Sequence, residues 1–337
     1  MFRMTLVAAV LALGCKQKPA DEMRATPGSG APSGASDDAG SAVGPTAIDA
    51  GTAPPLDTAP SAKTGDELAK RYGECITAAT EARWDDYRRC YAPTVAFESP
   101  GLDEPHGLDV QVRDAQKTRE LYPDHKQEPQ LVLVSGQTII SILLVTGTHA
   151  KTKKPIGFYL ANVVATDAQG VFVRDLAFWD AKTVTAQSTG KAGFRAVATG
   201  LPTKIALISK DDQTEKSNLA LFAKMNEASE SRDLVTFASF VADDVVWSVQ
   251  NQATDLSKAE ILAGIKTRLE KTDLHYKVDH VWAAGDYVAT IETVTGSAPA
   301  DSPDKKVKRG DKIDRQLLAI HRFAAGKLAQ VWVFAQS

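Results

Sequence analysis

The same order of predicted elements occurs twice along the chain, and this repeat restricts the possible folds more than any other feature. A capping box opens each copy, Thr64-x-x-Glu67 in the first and Asp212-x-x-Glu215 in the second. A short second helix, a short strand, a third helix and four long β-rich segments follow in both copies. A repeat of this length indicates duplicated domains rather than a solenoid. Helices followed by long strands predict an α+β fold, with a curved antiparallel sheet wrapped on three helices in each domain.

The turn signals between these segments set the domain boundaries. The first domain is predicted over residues 63–187 and the second over residues 212–337, and the Gly- and Pro-containing segment 188–211 connects them. Each copy carries a basic hairpin, Lys151 to Lys154 and Lys305 to Arg309, which we interpret as a solvated turn.

Residues 1–15 are predicted to be a cleaved export signal rather than part of the fold. Arg3 precedes an apolar stretch, Leu6 to Leu13, that is too short to span a bilayer. The segment from Leu11 to Cys15 resembles the lipobox of bacterial lipoproteins, which implies that Cys15 carries lipid and becomes the new N-terminus. The alternative is an ordinary secretory peptide that is cut elsewhere. Both interpretations predict export.

A tether is predicted after the signal. Residues 16–62 contain 33 Ala, Gly, Pro, Ser or Thr residues among 47, and none is aromatic. Such a segment buries too little apolar surface to offset its ordering entropy, so we expect it to be disordered. The membrane is therefore an expected partner, through the lipid on Cys15, and the expected location is the cell envelope. Lys16 after the cysteine favours the outer membrane.

Charge and cysteine content exclude some classes of function. The formal net charge of −3 gives no electrostatic reason to expect a nucleic acid partner. Cys75 and Cys90 form an even pair for an oxidising compartment and flank a predicted helix–turn–helix, so they either form a disulfide or are two buried thiols. No metal-ligand spacing or phosphate loop is present, and His275 and His280 are expected on opposite faces of a strand. We therefore predict neither a metal nor a cofactor.

An ordered set of short motifs covers almost the whole first copy. The set consists of Trp84-Asp85, Tyr91-Ala92-Pro93 with Phe97, His106-Gly107, Thr146-Gly147-Thr148-His149, Phe178-Trp179-Asp180 and Ala186-Gln187. It resembles the SnoaL-like polyketide cyclases of the nuclear transport factor 2-like superfamily. This resemblance implies two tandem cone-shaped domains, each enclosing an apolar cavity. The second copy resembles the superfamily in layout but keeps few of these motifs.

The resemblance also implies a site. Carboxylates in such cavities move a proton next to a carbonyl, which implies Asp180 as general base with His106 as its partner. Ligand-binding residues are then expected among Tyr159, His149, Trp179 and Phe97. Each has a structural alternative: Asp180 as a cap of the next turn, His106 as a partner of backbone groups, His149 as an exposed residue, and the aromatic residues as core.

Three functions remain open from the sequence. The leading hypothesis is a membrane-tethered envelope lipoprotein whose first domain binds a small apolar molecule. The first alternative is a cyclase or isomerase that uses Asp180 and His106. The second is an assembly module in which the two domains form an internal pseudo-dimer through their open sheet faces. In the second copy Gln336 takes the place of Asp180 and Asp255 lies near that of His106. That domain is therefore predicted to be non-catalytic, with His321 and Arg322 as cavity groups or as solvent-facing residues.

Overall fold

The computed structural model describes residues 56, 63–99, 103–191, 204–250, 252, 254–299 and 308–335. Cys15, almost all of the predicted tether and Gln336 lie outside the described residues. The described part consists of two α+β units with one sheet each, so the predicted fold class is confirmed. Within this part of the chain no helix combines the length and the apolar character needed to cross a bilayer.

The first unit contains, in chain order, α1 (Gly65–Thr80), α2 (Trp84–Arg88), β1 (Tyr91–Ser99), β2 (Asp103–His106), α3 (Leu108–Leu121), β3 (Lys126–Ser135), β4 (Thr138–Thr148), β5 (Pro155–Thr166), β6 (Phe172–Phe178), α4 (Ala181–Ser188) and β7 (Ile205–Ile208). The second unit contains α5 (Gln213–Glu230), α6 (Leu234–Phe240), β8 (Val241–Val249), α7 (Lys258–Lys271), β9 (His275–Ala284), β10 (Tyr287–Ser297), β11 (Lys312–Ala324) and β12 (Lys327–Ala335).

The sheets are mixed, and the prediction of purely antiparallel sheets is wrong. The strand order is β2-β1-β6-β5-β4-β3-β7 in the first sheet and β8-β12-β11-β10-β9 in the second. β1 pairs with β6 in parallel, and β8 pairs with β12 in parallel. In each case the two partners are joined through a helix and the whole antiparallel meander, and such a long connection allows them to run in the same direction.

The segment that connects the units is part of the first sheet. β7, which lies within the predicted linker 188–211, pairs in parallel with β3 from Leu131↔Ile205 to Val134↔Ile208. The prediction of a plain linker is therefore wrong at these residues. Ile205, Ala206, Leu207 and Ile208 form a short β-branched and apolar run, which fits the edge of a sheet better than a solvated loop.

The duplication extends to individual hydrogen bonds. In the first unit the Asp124 carboxylate accepts bonds from the backbone N–H and the hydroxyl of Thr148, at 2.6 and 2.8 Å. In the second unit Asp273 accepts the corresponding bonds from Ser297, at 2.9 and 2.8 Å. Each pair joins the loop before the first long strand to the end of the second long strand. The pairs therefore define which residues of the two sheets correspond.

The apolar residues form three clusters. One lies between the helices and the inner face of the first sheet, and one occupies the same place in the second unit. The third contains side chains from the outer faces of both sheets, among them Ile142, Val163, Ile291 and Leu318. The two sheets therefore pack on each other, and the side chains of each strand alternate between its own helices and the other sheet.

Leu56 belongs to this third cluster, although it lies in the segment predicted to be a disordered tether. Its side chain is 2 % exposed, and its carbonyl accepts a hydrogen bond of 2.7 Å from the Thr138 hydroxyl. The prediction of disorder is therefore wrong at this position. A single leucine among small residues contributes little to a mean composition, so the composition did not reveal its burial.

Candidate functional site

The first unit encloses a buried carboxyl group on the inner face of its sheet. Asp175 lies on β6, opposite Phe97 of β1 and Val164 of β5, and is 8 % exposed. Its Oδ1 accepts a hydrogen bond of 2.8 Å from the Asn162 amide, and its Oδ2 accepts one of 3.3 Å from the Tyr91 hydroxyl. The strand pairing thus brings three polar side chains together in an otherwise apolar interior.

Aromatic rings form the wall around this group. The Tyr91 ring lies 4.8 Å from Phe97, 5.3 Å from Phe172 and 5.0 Å from Tyr87 between centroids. Tyr72 contacts Phe172 and shares a hydrogen bond of 2.5 Å with the Ser141 hydroxyl. These residues belong to the apolar cluster of the first unit, so the carboxyl group lies in a largely dry surrounding of low polarity.

The surroundings change the acidity of these groups. Burial raises the pKa of Asp175 to about 6, against the hydrogen bonds from Asn162 and Tyr91 and the charge of His106, which lower it. Burial also raises the pKa of Tyr87 to about 12 and that of Tyr91 well above its ordinary value. At neutral pH the phenols are therefore neutral donors beside a carboxyl group that titrates close to the working range of an acid or base.

One acceptor next to this carboxyl group has no partner. The Asn162 Oδ1 is buried and makes no hydrogen bond among the described residues, although its amide nitrogen donates to Asp175. Buried polar atoms are rarely left without a partner, and an exception calls for an explanation such as a bound ligand or water. The atom therefore marks a place where a donor from a ligand can be accepted.

A disulfide holds the helices on one side of this site. Cys75 of α1 and Cys90, which follows α2, are bonded with an S–S distance of 1.97 Å and a Cα–Cα distance of 6.1 Å. Both half-cystines are buried in the same cluster as Tyr91. The bond therefore ties α1 to the start of β1, which begins at Tyr91.

Two of the residues singled out from the sequence lie at this site. Phe97 is buried against Tyr91, and the His106 ring stacks on Phe97 with centroids 5.8 Å apart. The His106 Nε2 shares a hydrogen bond of 2.9 Å with the Gln111 side chain. His106 is half-buried and lies at the rim of the polar group. Among the described hydrogen bonds, none joins its ring to Asp175.

Asp180 caps the helix that follows β6. It is the N-cap of α4 and accepts hydrogen bonds from the Thr183 backbone N–H at 3.1 Å and from the Thr183 hydroxyl. This is the capping alternative, and it places the carboxylate beyond the end of β6. Asp180 is itself buried, at 2 % exposure, but its described bonds are those of a cap, whereas Asp175 lies within the sheet.

The remaining three residues do not meet at this site. Tyr159 lies in the cluster between the sheets, because a shift of one residue along β5 moves a side chain to the other face. The His149 Nδ1 accepts hydrogen bonds from the backbone N–H groups of Lys151 and Thr152 and so orders the basic hairpin. Trp179 follows β6 and contacts Phe158, with centroids 5.8 Å apart.

The sequence analysis missed Asp175, Asn162 and Tyr91. A charged residue within the apolar strand Phe172–Phe178 was a usable signal for Asp175. Its face was not readable, because the pairing of β5 with β6 shifts register between Ala165 and Thr166 and alternation fails across the shift.

The second unit does not repeat this polar group. The registers match Asp175 to Val331, Asn162 to Ala319 and Tyr91 to Val241. His321 was predicted either to line the cavity or to face solvent, and the structure shows that it is buried. Its Nδ1 shares a hydrogen bond of 3.2 Å with the Val288 carbonyl, and burial lowers the pKa of His321 to about 4.

Within the described part of the chain, no group of three or more His, Cys, Asp or Glu side chains is placed to hold a metal ion.

The comparison with protein families assigns part of the chain. Residues 222–331 match the model of the SnoaL-like domain. The chain contains a SnoaL-like domain. The match falls on the second unit, which was expected to be the diverged copy. No curated protein matches the sequence.

Several solved structures resemble parts of the chain. AclR, a candidate hydroxylase from Streptomyces galilaeus, is 24% identical with a TM-score of 0.30, over 35% of this chain and 88% of its own. IdmH, a candidate polyketide cyclase from Streptomyces antibioticus, is 19% identical with a TM-score of 0.33, over 36% and 97%. A candidate ketosteroid isomerase from Kribbella flavida is 17% identical with a TM-score of 0.29, over 36% and 81%.

Proposed function

We propose that the first unit binds a small apolar carbonyl compound beside Asp175 and moves a proton on it, as an isomerase or cyclase does. The observation that carries the proposal is the buried Asp175 carboxyl group, with a pKa of about 6, among phenols that stay neutral. A base that titrates near the working pH combines a populated carboxylate with enough proton affinity to act. The SnoaL-like domain in the second unit supports this class of chemistry for a chain built from two similar units.

The chemistry needs no co-reactant. The Asp175 carboxylate takes a proton from the carbon next to the carbonyl, and the electron pair of that C–H bond forms the double bond of an enolate. The phenol of Tyr87 donates a hydrogen bond to the enolate oxygen, which stabilises the charge in a low-polarity surrounding. The protonated Asp175 then returns the proton to another carbon of the substrate. The Asn162 Oδ1 accepts a hydroxyl or amide donor of the substrate and fixes its orientation.

A binding protein without turnover is the second candidate. Each oxygen of Asp175 already accepts a hydrogen bond, from Asn162 and from Tyr91, and these bonds compete with proton abstraction. In this case Asn162 and the aromatic wall hold an apolar ligand, and Asp175 serves to orient Asn162. The two candidates differ in what the loss of the carboxylate does.

The test is exchange of the protons next to the carbonyl in a panel of bicyclic and tetracyclic ketones, followed by NMR in D2O. We expect the wild type to catalyse exchange with a rate that rises with pH through about 6, as Asp175 loses its proton. Asp175→Asn should lower the rate by about 10²- to 10⁴-fold, the usual range for loss of a general base. Asp180→Asn, which changes the cap of α4, should keep the rate within a few-fold of wild type.

The outcomes separate the candidates. Equal exchange by wild type and Asp175→Asn contradicts the proton-transfer proposal. Binding of a ketone without exchange, with similar affinity in both proteins, favours the binding candidate. Loss of exchange in Asp180→Asn but not in Asp175→Asn would restore the assignment implied by the family resemblance.

We also propose that lipid on Cys15 tethers the protein in the cell envelope, with the outer membrane favoured. The segment from Leu11 to Cys15 and the small-residue composition of residues 16–62 support it. The disulfide between Cys75 and Cys90 fits an oxidising compartment. Labelling with radioactive palmitate should mark the wild type and not Cys15→Ala, and equal labelling of both would contradict the tether.

A further inference from the structure

The second unit has its own ionisable group on the inner face of its sheet. Val294 of β10 pairs with Tyr276 of β9 on one side and with Arg315 of β11 on the other. Glu292 precedes Val294 by two positions and therefore faces the same side of the sheet. Three strands thus bring a phenol, a guanidinium and a carboxyl group to one area of the inner face.

A helix adds a second arginine to this area. The guanidinium carbon of Arg268, on α7, lies 4.6 Å from the centroid of the Tyr276 ring. Arg268 donates a hydrogen bond of 2.8 Å to the Ser229 hydroxyl and lies 3.7 Å from the Glu230 carboxylate. Its Nε is buried without a hydrogen-bond partner among the described residues. The Tyr276 ring is therefore covered by a cation from the helix layer.

These side chains are partly desolvated and partly open. Burial raises the pKa of Glu292 and Tyr276 and lowers that of Arg315. The charges of Arg315 and Arg268 both lower the pKa of Tyr276, so both guanidinium groups lie near its phenol. Glu292, Tyr276 and Arg315 nevertheless keep part of their surface exposed to solvent. This combination is expected of side chains that line a recess rather than a sealed core.

The fold does not need these charges. In the first unit Val145 pairs with Gln127 and Phe158, as Val294 pairs with Tyr276 and Arg315. By the same register Leu143 takes the place of Glu292. The first unit therefore forms the same sheet with apolar side chains where the second unit has Glu292 and Arg315. Partial burial of charged groups costs free energy, and the hydrogen bond of 2.8 Å from the Thr290 hydroxyl offsets part of that cost for Glu292. The presence of both charged groups in only one unit favours a role in binding over a role in the fold.

We propose that the second unit binds a small amphipathic carboxylate at Tyr276 and Arg315, at a site separate from that of the first unit. Arg315 presents a planar fork that matches a carboxylate, and the Tyr276 hydroxyl adds a donor beside it. Val278, Val294 and Leu317 belong to the apolar lining on the same side and receive the hydrocarbon part. Glu230 and Glu292 lie near the two arginines and would repel a dianion such as phosphate, which favours a ligand with a single negative charge.

Isothermal titration of the full chain with octanoate and with octanol tests the proposal, since the two probes differ only in the head group. We expect octanoate to bind at least about tenfold more tightly, the equivalent of one good charge-assisted contact. Arg315→Gln should weaken octanoate binding by about tenfold or more. The control is Arg322→Gln on the same strand, whose side chain bonds to Gln330 and takes no part in the recess, and it should change the affinity less than about twofold.

Several results overturn the proposal: equal affinity for octanoate and octanol, no binding of octanoate, or unchanged affinity in Arg315→Gln. If Arg315→Gln does not fold by near-ultraviolet circular dichroism, Arg315→Lys decides, because it keeps the charge but loses the fork. Unchanged affinity in Arg315→Lys then overturns the proposal, and a loss of several-fold supports it. Asp175→Asn should leave octanoate binding unchanged, and a loss there would place the ligand in the first unit. Proton exchange by Asp175 can fail or succeed independently of these results.

Discussion

Asp175 and Asp180 are close in sequence, and their surroundings decide what each can do. Asp180 lies at the N-terminus of a helix, where a carboxylate is stabilised by free backbone N–H groups and the helix dipole. Asp175 lies in the middle of a strand, among aromatic rings, with only two donors to replace its hydration. Both side chains are buried, at 2 % exposure for Asp180 and 8 % for Asp175, so the groups around each carboxylate distinguish them, and position in a motif identified the capping residue.

The raised pKa of Asp175 predicts how stability depends on pH. The folded value of about 6 exceeds the ordinary value of 3.8, so the folded state holds a proton that the unfolded state releases. Its contribution to stability is therefore fully present below about pH 4 and is lost as pH rises through 6. The loss is on the order of 3 kcal/mol, since one pKa unit corresponds to about 1.4 kcal/mol. Urea unfolding at pH 4.5 and 7.5 should show about 2 kcal/mol of this loss in wild type and none in Asp175→Asn, because the loss has already begun at pH 4.5.

Asp85→Asn, which changes an exposed carboxylate, is the matched control and should follow wild type at both pH values. A similar pH dependence in Asp175→Asn and wild type would show that Asp175 has an ordinary pKa. Such a result would also remove the observation on which the proposed proton transfer depends.

The sequence predicted the roles of residues that depend on near neighbours in the chain. It did not predict which residues meet across strands. Thr64 and Phe97 were readable because a cap or an aromatic core position depends on a few neighbours. Asn162 and Asp175 come from different strands, and their contact depends on register shifts that alternation does not reveal. The inward or outward direction of Tyr159 failed for the same reason.

At the scale of elements, one glutamate connects β7 and α5 to the second sheet. The Glu215 carboxylate accepts hydrogen bonds from the Ser209 hydroxyl and from the backbone N–H groups of Lys210, Asp211 and Gly285, at 2.7 to 3.1 Å. The sequence predicted Glu215 as the second residue of a capping box. Asp212 does cap α5, but the Glu215 side chain binds these more distant groups instead. It therefore joins the connection between the units to the turn between β9 and β10.

Glu215→Gln should destabilise the protein by about 2–4 kcal/mol, because a neutral amide replaces a buried charged acceptor of several hydrogen bonds. Burial tends to raise the pKa of Glu215, but the hydrogen bonds outweigh it and the pKa is lowered overall. The stabilisation is thus present above the ordinary value of 4.5 and is lost as pH falls through the folded value. Chemical denaturation at pH 7 and pH 3 measures both effects, with the exposed Glu227→Gln on the same helix as control.

A small loss in Glu215→Gln, equal to that in Glu227→Gln, would mean that β7 is held by its pairing with β3 alone.

The element order itself was predictable, since caps and periodicity locate helices and strands. The parallel pairing of β1 with β6 and the pairing of β7 with β3 were not, because they depend on which sheet edge is free once the meander has formed.

At the scale of the whole molecule, the two units share one apolar cluster between their sheets. Trp282, Tyr287, Trp332 and Phe334 from the second sheet belong to the same cluster as Ile140, Ile142 and Phe178 from the first. The clusters under the helices belong to single units. A sheet that buries both faces cannot lose one neighbour without exposing a continuous apolar surface. We infer that neither unit is stable in its present form without the other.

Leu317 and Leu318 allow a direct test of this coupling, because they are neighbours on β11 that face opposite sides. Leu318 packs between the sheets, and Leu317 packs under the helices of the second unit. Replacing either residue by alanine should cost about 2–5 kcal/mol. Hydrogen exchange measured by mass spectrometry should then speed up in β4 and β5 of the first unit only for Leu318→Ala. If Leu318→Ala leaves exchange in those strands unchanged, the shared cluster does not couple the units, and each must hold its sheet together with its own helices.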